Sequence, residues 1–346
     1  MCPVDCRYVS CHSASVSIDP VQLDELDRQV IHALQIWPRA PWTFIGEVLG
    51  VDPMTASRRW QVMEDNGSAW ISVSDVIAAE SLRAIIDIRV KSSRLPAALL
   101  ALEQDPSVRT LRSVLGDWSI SLDWHGLDII ELDAYLTGTL AGLKGVIATR
   151  THIVTGVLLE GSAWRLRALS QDQVATLKHA ATFDDVASPS HEVHEIDEQV
   201  LRNVTLDGRA TLTSLAERMT TSVATVRRHL NHMLSSRALV MRCDVARPLS
   251  GWPIAAHFMC TVDPRQIAEV GEALSRIREI RAAQVLVGPY NLCLNFWVRS
   301  LPEITALEAH LARNIPQIRI GERSVTSNML KHMQVSLRGD GRRTAA

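Results

Sequence analysis

The sequence predicts an α+β protein in which two winged helix-turn-helix domains alternate with two ferredoxin-like βαββαβ domains. Three observations lead to this fold class. The chain has 346 residues, which is about twice the usual size of one domain. Its first half matches its second half after a shift of 170 to 172 residues. Within each half, a helical hydrophobic period is followed by strand-like stretches that alternate with two further helices.

The repeat is visible in individual residues. A shift of 170 places Arg58 on Arg228, and a shift of 172 places the turn Gly116–Asp117–Trp118 on Gly288–Pro289–Tyr290. So long a period indicates a duplicated two-domain unit, since solenoid repeats span only about 20 to 50 residues. The predicted segments are a disordered leader (1–22), a first winged helix-turn-helix (23–75), a first βαββαβ domain (76–161), a linker with a short helix (162–194), a second winged helix-turn-helix (195–245), a second βαββαβ domain (246–336) and a disordered tail (337–346).

The front of each half predicts three helices, each with one buried face. In the first half, apolar residues recur at helical spacing over residues 23–34. Gly50 closes a short second helix, and Asp52 supplies the N-cap of a third. Two helices joined by a short turn on a platform helix predict a helix-turn-helix. The strand-like stretches that follow, 69–73 and 238–243, are expected to form its wing.

The rear of each half predicts the order βαββαβ. In the first half, AIIDIRV, VRTLRSVLG, SISLDWHG and VIATRTHIVTGVLLE read as strands, with helices after the first and third of them. Such a unit is a four-stranded antiparallel sheet backed by two helices, and the other face of the sheet must be covered. We therefore expect two sheets to pack together, either from the two repeats or from two chains.

Composition excludes several classes of protein. Hydrophobic residues make up 47% and charged residues 21% of the chain, as in soluble globular proteins. No apolar run approaches the roughly 20 residues of a membrane-spanning helix. The N-terminus has no continuous apolar segment of a secretory signal, which indicates the cytoplasm. The formal charge is −2, so a nucleic-acid site must be a local basic patch.

The cysteines predict neither a disulfide scaffold nor a metal site. Cys243, Cys260 and Cys293 lie in apolar stretches, where a reduced thiol packs as a small hydrophobe. Cys2, Cys6, Cys11 and His12 form a metal-like cluster, but their spacing matches no zinc module and the segment has no apolar period. A disordered leader is the favoured interpretation, and no metal or cofactor is expected.

The third helix of each half has the features of a recognition helix. A reader of DNA needs hydrogen-bonding groups for base edges and cations for phosphates on the face opposite its buried stripe. An arginine pair on a helix is more often a solvated face, but here the pair recurs in both halves directly after a capped turn. The predicted DNA-binding residues are Thr55, Ser57, Arg58, Arg59, Gln61, Thr225, Arg227, Arg228, Asn231 and His232.

The two readers are unequal in charge. Residues 23–73 carry a net formal charge of −3, whereas residues 195–245 carry +1. The first reader also holds four tryptophans, which are more often packing residues than contacts. We therefore expect the second reader to bind phosphate more strongly.

The order LDELDRQVIHALQ, a capped helix-turn-helix and then βαββαβ with a Gly-Asp-aromatic turn resembles the Lrp/AsnC family of feast/famine transcription regulators, in a tandem form that covers about residues 23–335. The resemblance implies a regulator that binds double-stranded DNA, dimerises or forms a higher homo-oligomer through its βαββαβ domains, and responds to a small molecule, commonly an amino acid. An enzyme activity is not implied.

In that family, the turn Gly-Asp-aromatic-Asp lines an effector pocket between sensing domains. The resemblance implies the effector-binding residues Gly116, Asp117, Trp118, Ser119, Gly288, Tyr290 and Asn291. Both turns depart from the pattern, because a neutral residue stands at the last position and Pro289 replaces the first aspartate of the second turn. The alternative is that each glycine merely permits a tight hairpin beside a packing aromatic.

Two other functions remain open from the sequence. Siroheme decarboxylases resemble this arrangement and use His and Arg around a tetrapyrrole. The stretch after the second reader keeps Arg247 but has no His-Arg pair, and His257 sits in a predicted strand, where a packed role is favoured. The third possibility is an architectural protein with degenerate readers. Absorbance near 400 nm separates the enzyme from the regulator, and salt-dependent DNA binding separates the regulator from the architectural protein.

Overall fold

The computed structural model describes residues 23–75, 82–161, 164–181, 195–236 and 238–344. The leader and its Cys/His cluster lie outside these residues. The chain divides into a helical unit, built from 23–80 and 165–246, and a sheet unit, built from 81–164 and 247–344. Among the described residues, no helix is long and apolar enough to cross a membrane.

The element order follows the predicted one. The helices are α1 (Glu25–Ile36), α2 (Trp42–Leu49), α3 (Pro53–Asp65), α4 (Leu95–Glu103), α5 (Ile129–Ala134), α6 (Gln171–Ala180), α7 (Glu195–Leu206), α8 (Leu212–Arg218), α9 (Val223–Ser235), α10 (Ile267–Leu274) and α11 (Leu301–Asn314). The strands are β1 (Ala69–Asp75), β2 (Leu82–Val90), β3 (Val108–Leu115), β4 (Ile120–Gly126), β5 (Val146–Leu159), β6 (Leu239–Val245), β7 (Ile254–Thr261), β8 (Ile280–Val287), β9 (Leu292–Val298), β10 (Arg319–His332) and β11 (Val335–Ser336).

Local signals set the helix boundaries of the helical unit. Asp24 and Asp27 form a capping box at the start of α1. Gly50 ends α2 at φ 68°, a left-handed conformation that glycine adopts at little cost. The Asp52 side chain accepts a hydrogen bond from the amide of Met54 at the start of α3. The predicted helix ends at Gly50 and Asp52 are therefore confirmed.

The two strands predicted as wings pair with each other. In the described residues, β1 pairs in antiparallel register with β6, from Ala69 opposite Val245 to Asp75 opposite Leu239. Each helix-turn-helix contributes one strand, and a lone strand must find a partner for its backbone groups. The strand of the other repeat satisfies that need, so a shared two-stranded ribbon replaces two separate wings.

A reciprocal pair of arginines also joins the two helix-turn-helix repeats. Arg39 donates to the backbone oxygens of Gly208 and Ala210, both at 2.6 Å. Arg209, at the equivalent position of the second repeat, donates to the backbone oxygens of Pro38 and Ala40. The Arg209 guanidinium also lies over the Trp42 ring at 4.0 Å. Two three-helix segments of one chain, α1–α3 and α7–α9, are therefore joined by reciprocal contacts.

The segment after the first βαββαβ repeat packs against α1 and α2. The backbone amides of Ala168 and Leu169 donate to Nδ1 of His32, each at 3.1 Å. Gln35 Oε1 accepts from the amide of Leu166, and Gln173 donates to the carbonyl oxygen of Val48. This part of the predicted linker is consequently an ordered strap that ends in α6.

Acid is expected to loosen this strap. Burial lowers the pKa of His32 to about 4 from an ordinary value of 6.5, and Nδ1 can accept hydrogen bonds only while the ring nitrogen is unprotonated. The contribution of neutral His32 to stability is thus fully present above about pH 6.5 and is lost as the pH falls through about 4. The side-chain oxygen of asparagine still accepts hydrogen bonds but does not titrate. We therefore expect His32→Asn to make the melting temperature depend less on pH between 6.5 and 4. Parallel pH profiles for the two proteins would contradict the assignment.

The sheet unit is one continuous sheet closed into a ring. The strand order is β11-β10-β3-β4-β2-β5-β8-β9-β7, and β10 also pairs with β7. The two repeats therefore meet edge to edge twice, at β5–β8 and at β3–β10. Strand alternation decides which side chains face the helices: Ile86 and Ile88 join the helix-backed core, whereas Ile85 and Asp87 line the interior of the ring. The prediction was two sheets packed together, from two repeats or from two chains. In the structure the strands of one chain meet instead edge to edge, in a single continuous sheet.

The C-terminal segment differs from the predicted disordered tail. After β10, the chain turns back through Met333 and Gln334, both at positive φ, to form β11. Leu337 then bridges Arg343, and the amide of Thr344 donates to the carbonyl oxygen of Ser336 at 3.0 Å. Backbone pairing thus orders residues 337–344. The polar composition of this segment gives no indication of that pairing.

Candidate nucleic-acid interface and effector cavity

The predicted second recognition helix, α9, presents polar side chains opposite a buried stripe. The Ser222 side chain caps it by accepting from the amide of Thr225 at 3.0 Å. The core of the repeat holds Val226, Leu230 and Met233. Because these residues fix the rotation of the helix, Arg227, Arg228 and Asn231 project outward and are exposed. Their arrangement suits phosphate and base-edge contacts.

The remaining predicted residues of α9 are less available. The hydroxyl of Thr225 lies 2.8 Å from that of Ser222, so it belongs to the cap. His232 is half-buried in the last turn. His229, which the sequence did not single out, bonds the fully buried carboxylate of Asp197 at 2.8 Å and holds α9 against α7.

The first recognition helix, α3, has a sparser reading face. Ala56, Trp60 and Met63 are buried, and Arg58 is exposed. Thr55 and Ser57 are half-buried. Gln61 is exposed, with its amide donating to Asp65 at 2.8 Å.

Arg59 holds α3 against the start of α1. Its Nη1 lies 2.6 Å from Asp24 and 3.4 Å from Asp27. With a shift of 170 residues, Arg59 is equivalent to His229 and Asp27 to Asp197. Both repeats thus use the same position to clamp the recognition helix to the platform helix. The two Arg-Arg pairs, 58–59 and 227–228, are therefore offset by one residue. The equivalent outward arginines are Arg58 and Arg228.

A cavity of about 330 Å³ lies inside the ring of the sheet unit. Its wall contains charged residues from both repeats: Asp87, Arg112, Asp117, Arg150, Glu322 and Arg323. A volume of this order is at the lower end of sites for small molecules. The interior of the ring is therefore the candidate effector site.

The two predicted turns have different positions relative to this cavity. Gly116, Asp117 and Trp118 line it. Ser119 does not, since its hydroxyl accepts from the amide of Val90 at 3.4 Å. The structure thus places three of the four predicted residues of the first turn on the cavity wall.

In the second turn, packing explains most of the residues. Asn291 bonds both backbone groups of Val262, at 2.9 and 2.7 Å. A Cβ on Gly288 would lie 2.6 Å from Nδ1 of His152, which leaves no room for a side chain. The backbone φ of 152° also disfavours any residue other than glycine. Tyr290 reaches the wall indirectly, because its hydroxyl donates to Glu322 at 3.1 Å.

The cavity wall has an ionic centre that was not predicted from the sequence. Arg150 donates to Asp87 at 2.9 Å and to both oxygens of Glu322 at 2.6 and 2.7 Å. Burial opposes the charge on Arg150, but these hydrogen bonds outweigh it and raise the pKa of Arg150. The hydrogen bond from Arg150 lowers the pKa of Glu322 against the effect of burial. The clearest signal in the sequence was Asp87, an acidic residue within the apolar stretch AIIDIRV.

Two histidines lie at or near this centre. His257 lines the cavity, and its two ring nitrogens bond Asn295 and Thr326, so the ring is packed within the wall. Burial lowers the pKa of His257 to about 3. His152 is fully buried 4.0 Å from Asp87, and burial lowers its pKa. Both rings are thus neutral near pH 7.

Comparisons with known proteins identify the domains of the first half. The family model of the AsnC-type helix-turn-helix domain matches residues 23–64, and that of the Lrp/AsnC ligand binding domain matches residues 83–164. An uncharacterized HTH-type transcriptional regulator of Pyrococcus abyssi is 23% identical over 141 residues, which are 40% of this chain and 89% of that protein. The HTH-type transcriptional regulator FL11 of Pyrococcus horikoshii is 25% identical over 140 residues, 38% of this chain and 93% of its own length.

One solved fold is similar over nearly the whole chain. The siroheme decarboxylase NirDL covers 90% of this chain and 93% of its own, with a TM-score of 0.57 and 12% identity. At that identity the likeness concerns the fold alone. Residues 23–64 and 83–164 thus match the helix-turn-helix and ligand-binding domains of Lrp/AsnC-type transcription regulators.

Proposed function

We propose that this regulator reads DNA with both recognition helices and that its second half is a diverged copy of the first, with its own AsnC-type reader and ligand-binding repeat. The observation that carries the proposal is the exposed face of α9, where Arg227, Arg228 and Asn231 lie together opposite a buried stripe. The first reader retains Arg58 on the equivalent face. One chain therefore offers two related but different helices to a duplex.

The difference between the two readers favours an asymmetric DNA site. The residues at equivalent outward positions are Ser57 and Arg227, and Gln61 and Asn231. Arginine suits guanine, whereas Asn and Gln suit adenine. Since a two-fold homodimer would read two identical half-sites, a single chain with unlike readers can recognise unlike half-sites. We expect further chains to assemble with it as a homodimer or a higher homo-oligomer.

Mapping of bound genomic fragments tests DNA reading directly. The expected result is one motif with two unequal halves, the second reader contributing the more strongly specified half. A set of bound fragments without a common motif would favour an architectural protein with degenerate readers.

We place the effector in the cavity of the sheet unit, with an amino acid as the candidate. Asp117 offers a carboxylate for an ammonium group, and Arg112 offers a guanidinium for a carboxylate. The Nε of Arg112 has no hydrogen-bond partner among the described residues, although the side chain pairs with Asp123 through Nη2. A buried donor without a partner is a position at which a ligand group gains a hydrogen bond.

Filling the cavity is expected to abolish the response to an effector. Ser121 lines the cavity, so Ser121→Phe should remove the thermal stabilisation by any amino acid that stabilises the wild-type chain. Thr155→Phe adds the same ring at an exposed position of β5 and serves as the matched control. Equal stabilisation of Ser121→Phe and wild type would place the effector elsewhere.

The alternative function is a siroheme-decarboxylase-like enzyme, which the fold likeness over the whole chain favours. The cavity of about 330 Å³ is smaller than a tetrapyrrole, and the Arg150–Glu322 pair crosses it, so this function requires the ring to open. Absorbance near 400 nm in the purified protein, or its appearance on titration with a tetrapyrrole, would support the enzyme.

A further inference from the structure

An ion pair joins two equivalent positions of the sheet repeats. Arg150 lies in β5 and Glu322 in β10, 172 residues later, the shift that relates the two repeats. Their side chains nevertheless contact each other in a two-pronged pair, with N–O distances of 2.6 and 2.7 Å. Equivalent residues that touch must lie beside the local two-fold axis of the ring. At this point, each repeat faces its own counterpart.

The residues that contact the pair also differ between the two repeats, and each set suits the charge of its own repeat. Asp87 accepts from Arg150 at 2.9 Å, whereas the equivalent residue of the second repeat is Met259. The Tyr290 hydroxyl donates to Glu322, whereas its equivalent Trp118 lies 4.7 Å from the Arg150 guanidinium. The first repeat thus supplies a cation and the groups that stabilise it. The second supplies a carboxylate and a donor that stabilises it.

Pairing between two copies of the second repeat would be unfavourable. Two copies of the second repeat would bring two Glu322 carboxylates together, with Met259 nearby and no cation from this position. The Arg150 and Glu322 side chains are only 17% and 29% exposed, so water screens such repulsion poorly. A repulsive alternative of this kind is how interfaces reject wrong partners.

The two junctions between the repeats have diverged as well. At the β3–β10 junction, Lys331 donates to the carbonyl oxygen of Asp105 at 2.8 Å. The residue equivalent to Lys331 at the β5–β8 junction is Leu159, which packs against the apolar core of the second repeat. Each edge is therefore adapted to a different partner edge.

The geometry points to a pairing-specificity device: the Arg150–Glu322 pair commits the two sheet repeats of one chain to each other and rejects pairing between two copies of the second repeat. The interaction surface is the β3–β10 and β5–β8 edges together with the centre of the ring, and its partner is the opposite repeat. This inference is independent of DNA reading, because it concerns the sheet unit alone.

Two full-length variants with complementary charges test the device. Variant one carries Glu322→Arg, so that two arginines face each other in its ring. Variant two carries Asp87→Met and Arg150→Glu, which gives the first repeat the residues of the second. Within either variant chain, the charges at positions 150 and 322 have the same sign and repel each other. Between the two variants, the charge on the first repeat of one chain is opposite to the charge on the second repeat of the other. Glu308→Arg is the control, since it reverses the charge of an ion pair with Arg323 inside one repeat.

We expect each variant alone to melt about 5 °C or more below Glu308→Arg. After unfolding and refolding together, tagged variant one should capture untagged variant two well above the level at which tagged wild type captures untagged wild type. The mixture should also regain the lost thermal stability. Variants that melt like the control would overturn the proposal, as would a mixture that neither regains stability nor shows increased capture.

Discussion

Replacing Arg227, Arg228 and Asn231 together with alanine is expected to weaken binding to the specific DNA site by about 100-fold or more. All three side chains are exposed on the outward face of α9, and none contributes to the buried stripe. Loss of the base contacts should cost about 1 to 3 kcal/mol each, and loss of the phosphate contact should weaken binding to every sequence. Fluorescence anisotropy with specific and scrambled duplexes measures both effects.

Single substitutions divide the effect among the three residues. Arg228→Ala should weaken binding to all DNA, whereas Arg227→Ala or Asn231→Ala should change the sequence preference. The matched control is alanine at Ser57, Arg58 and Gln61, the equivalent positions of α3, where we expect a smaller loss. Unchanged affinity and preference in the variants of α9 would remove that helix from the reader role.

Arg209→Ala is expected to lower the free energy of unfolding of the helical unit by about 3 kcal/mol or more. The guanidinium makes two hydrogen bonds to backbone oxygens of the other repeat and stacks on Trp42. Its removal leaves the carbonyl groups of Pro38 and Ala40 without these donors, and hydrogen bonds to charged groups contribute about 1.5 to 3 kcal/mol each. Chemical denaturation monitored by tryptophan fluorescence measures the change.

Arg202→Ala is the matched control for Arg209→Ala. Arg202 is an exposed arginine on α7 of the same repeat, so its loss should change stability by less than about 0.5 kcal/mol. The Arg209 variant should in addition bind DNA less tightly, since the arginine helps to fix one reader relative to the other. Equal stability of the two variants would show that the reciprocal arginines do not hold the repeats together.

The parts of the fold that the sequence predicts are those with local causes. Asp52 before Pro53 and Gly50 after α2 set helix ends through groups a few residues away. The pairing of β1 with β6 brings together residues more than 160 positions apart, and nothing in either strand specifies its partner. The closure of the sheet ring has the same non-local origin.

The candidate sites show the same division. The outward faces of α3 and α9 follow from helical periodicity, whereas the clamp formed by Arg59 does not, because its partners Asp24 and Asp27 lie at the start of another helix. Asp87 and Arg150 form the charged wall of the cavity only because alternation turns them inward within a closed ring. A charged residue within an apolar strand, such as Asp87, therefore indicates a polar site on the inner face of the sheet.

Salt dependence of DNA binding by the intact chain is the most direct measurement of whether the two recognition helices enter duplex DNA. Neutralisation of ~6 phosphates predicts a slope near −5 when the logarithm of the binding constant is plotted against that of the salt concentration. The alanine variant of α9 should have a shallower slope than wild type, and the variant of α3 should differ less. Binding that is independent of salt, or equal slopes for wild type and both variants, would contradict DNA reading by these helices.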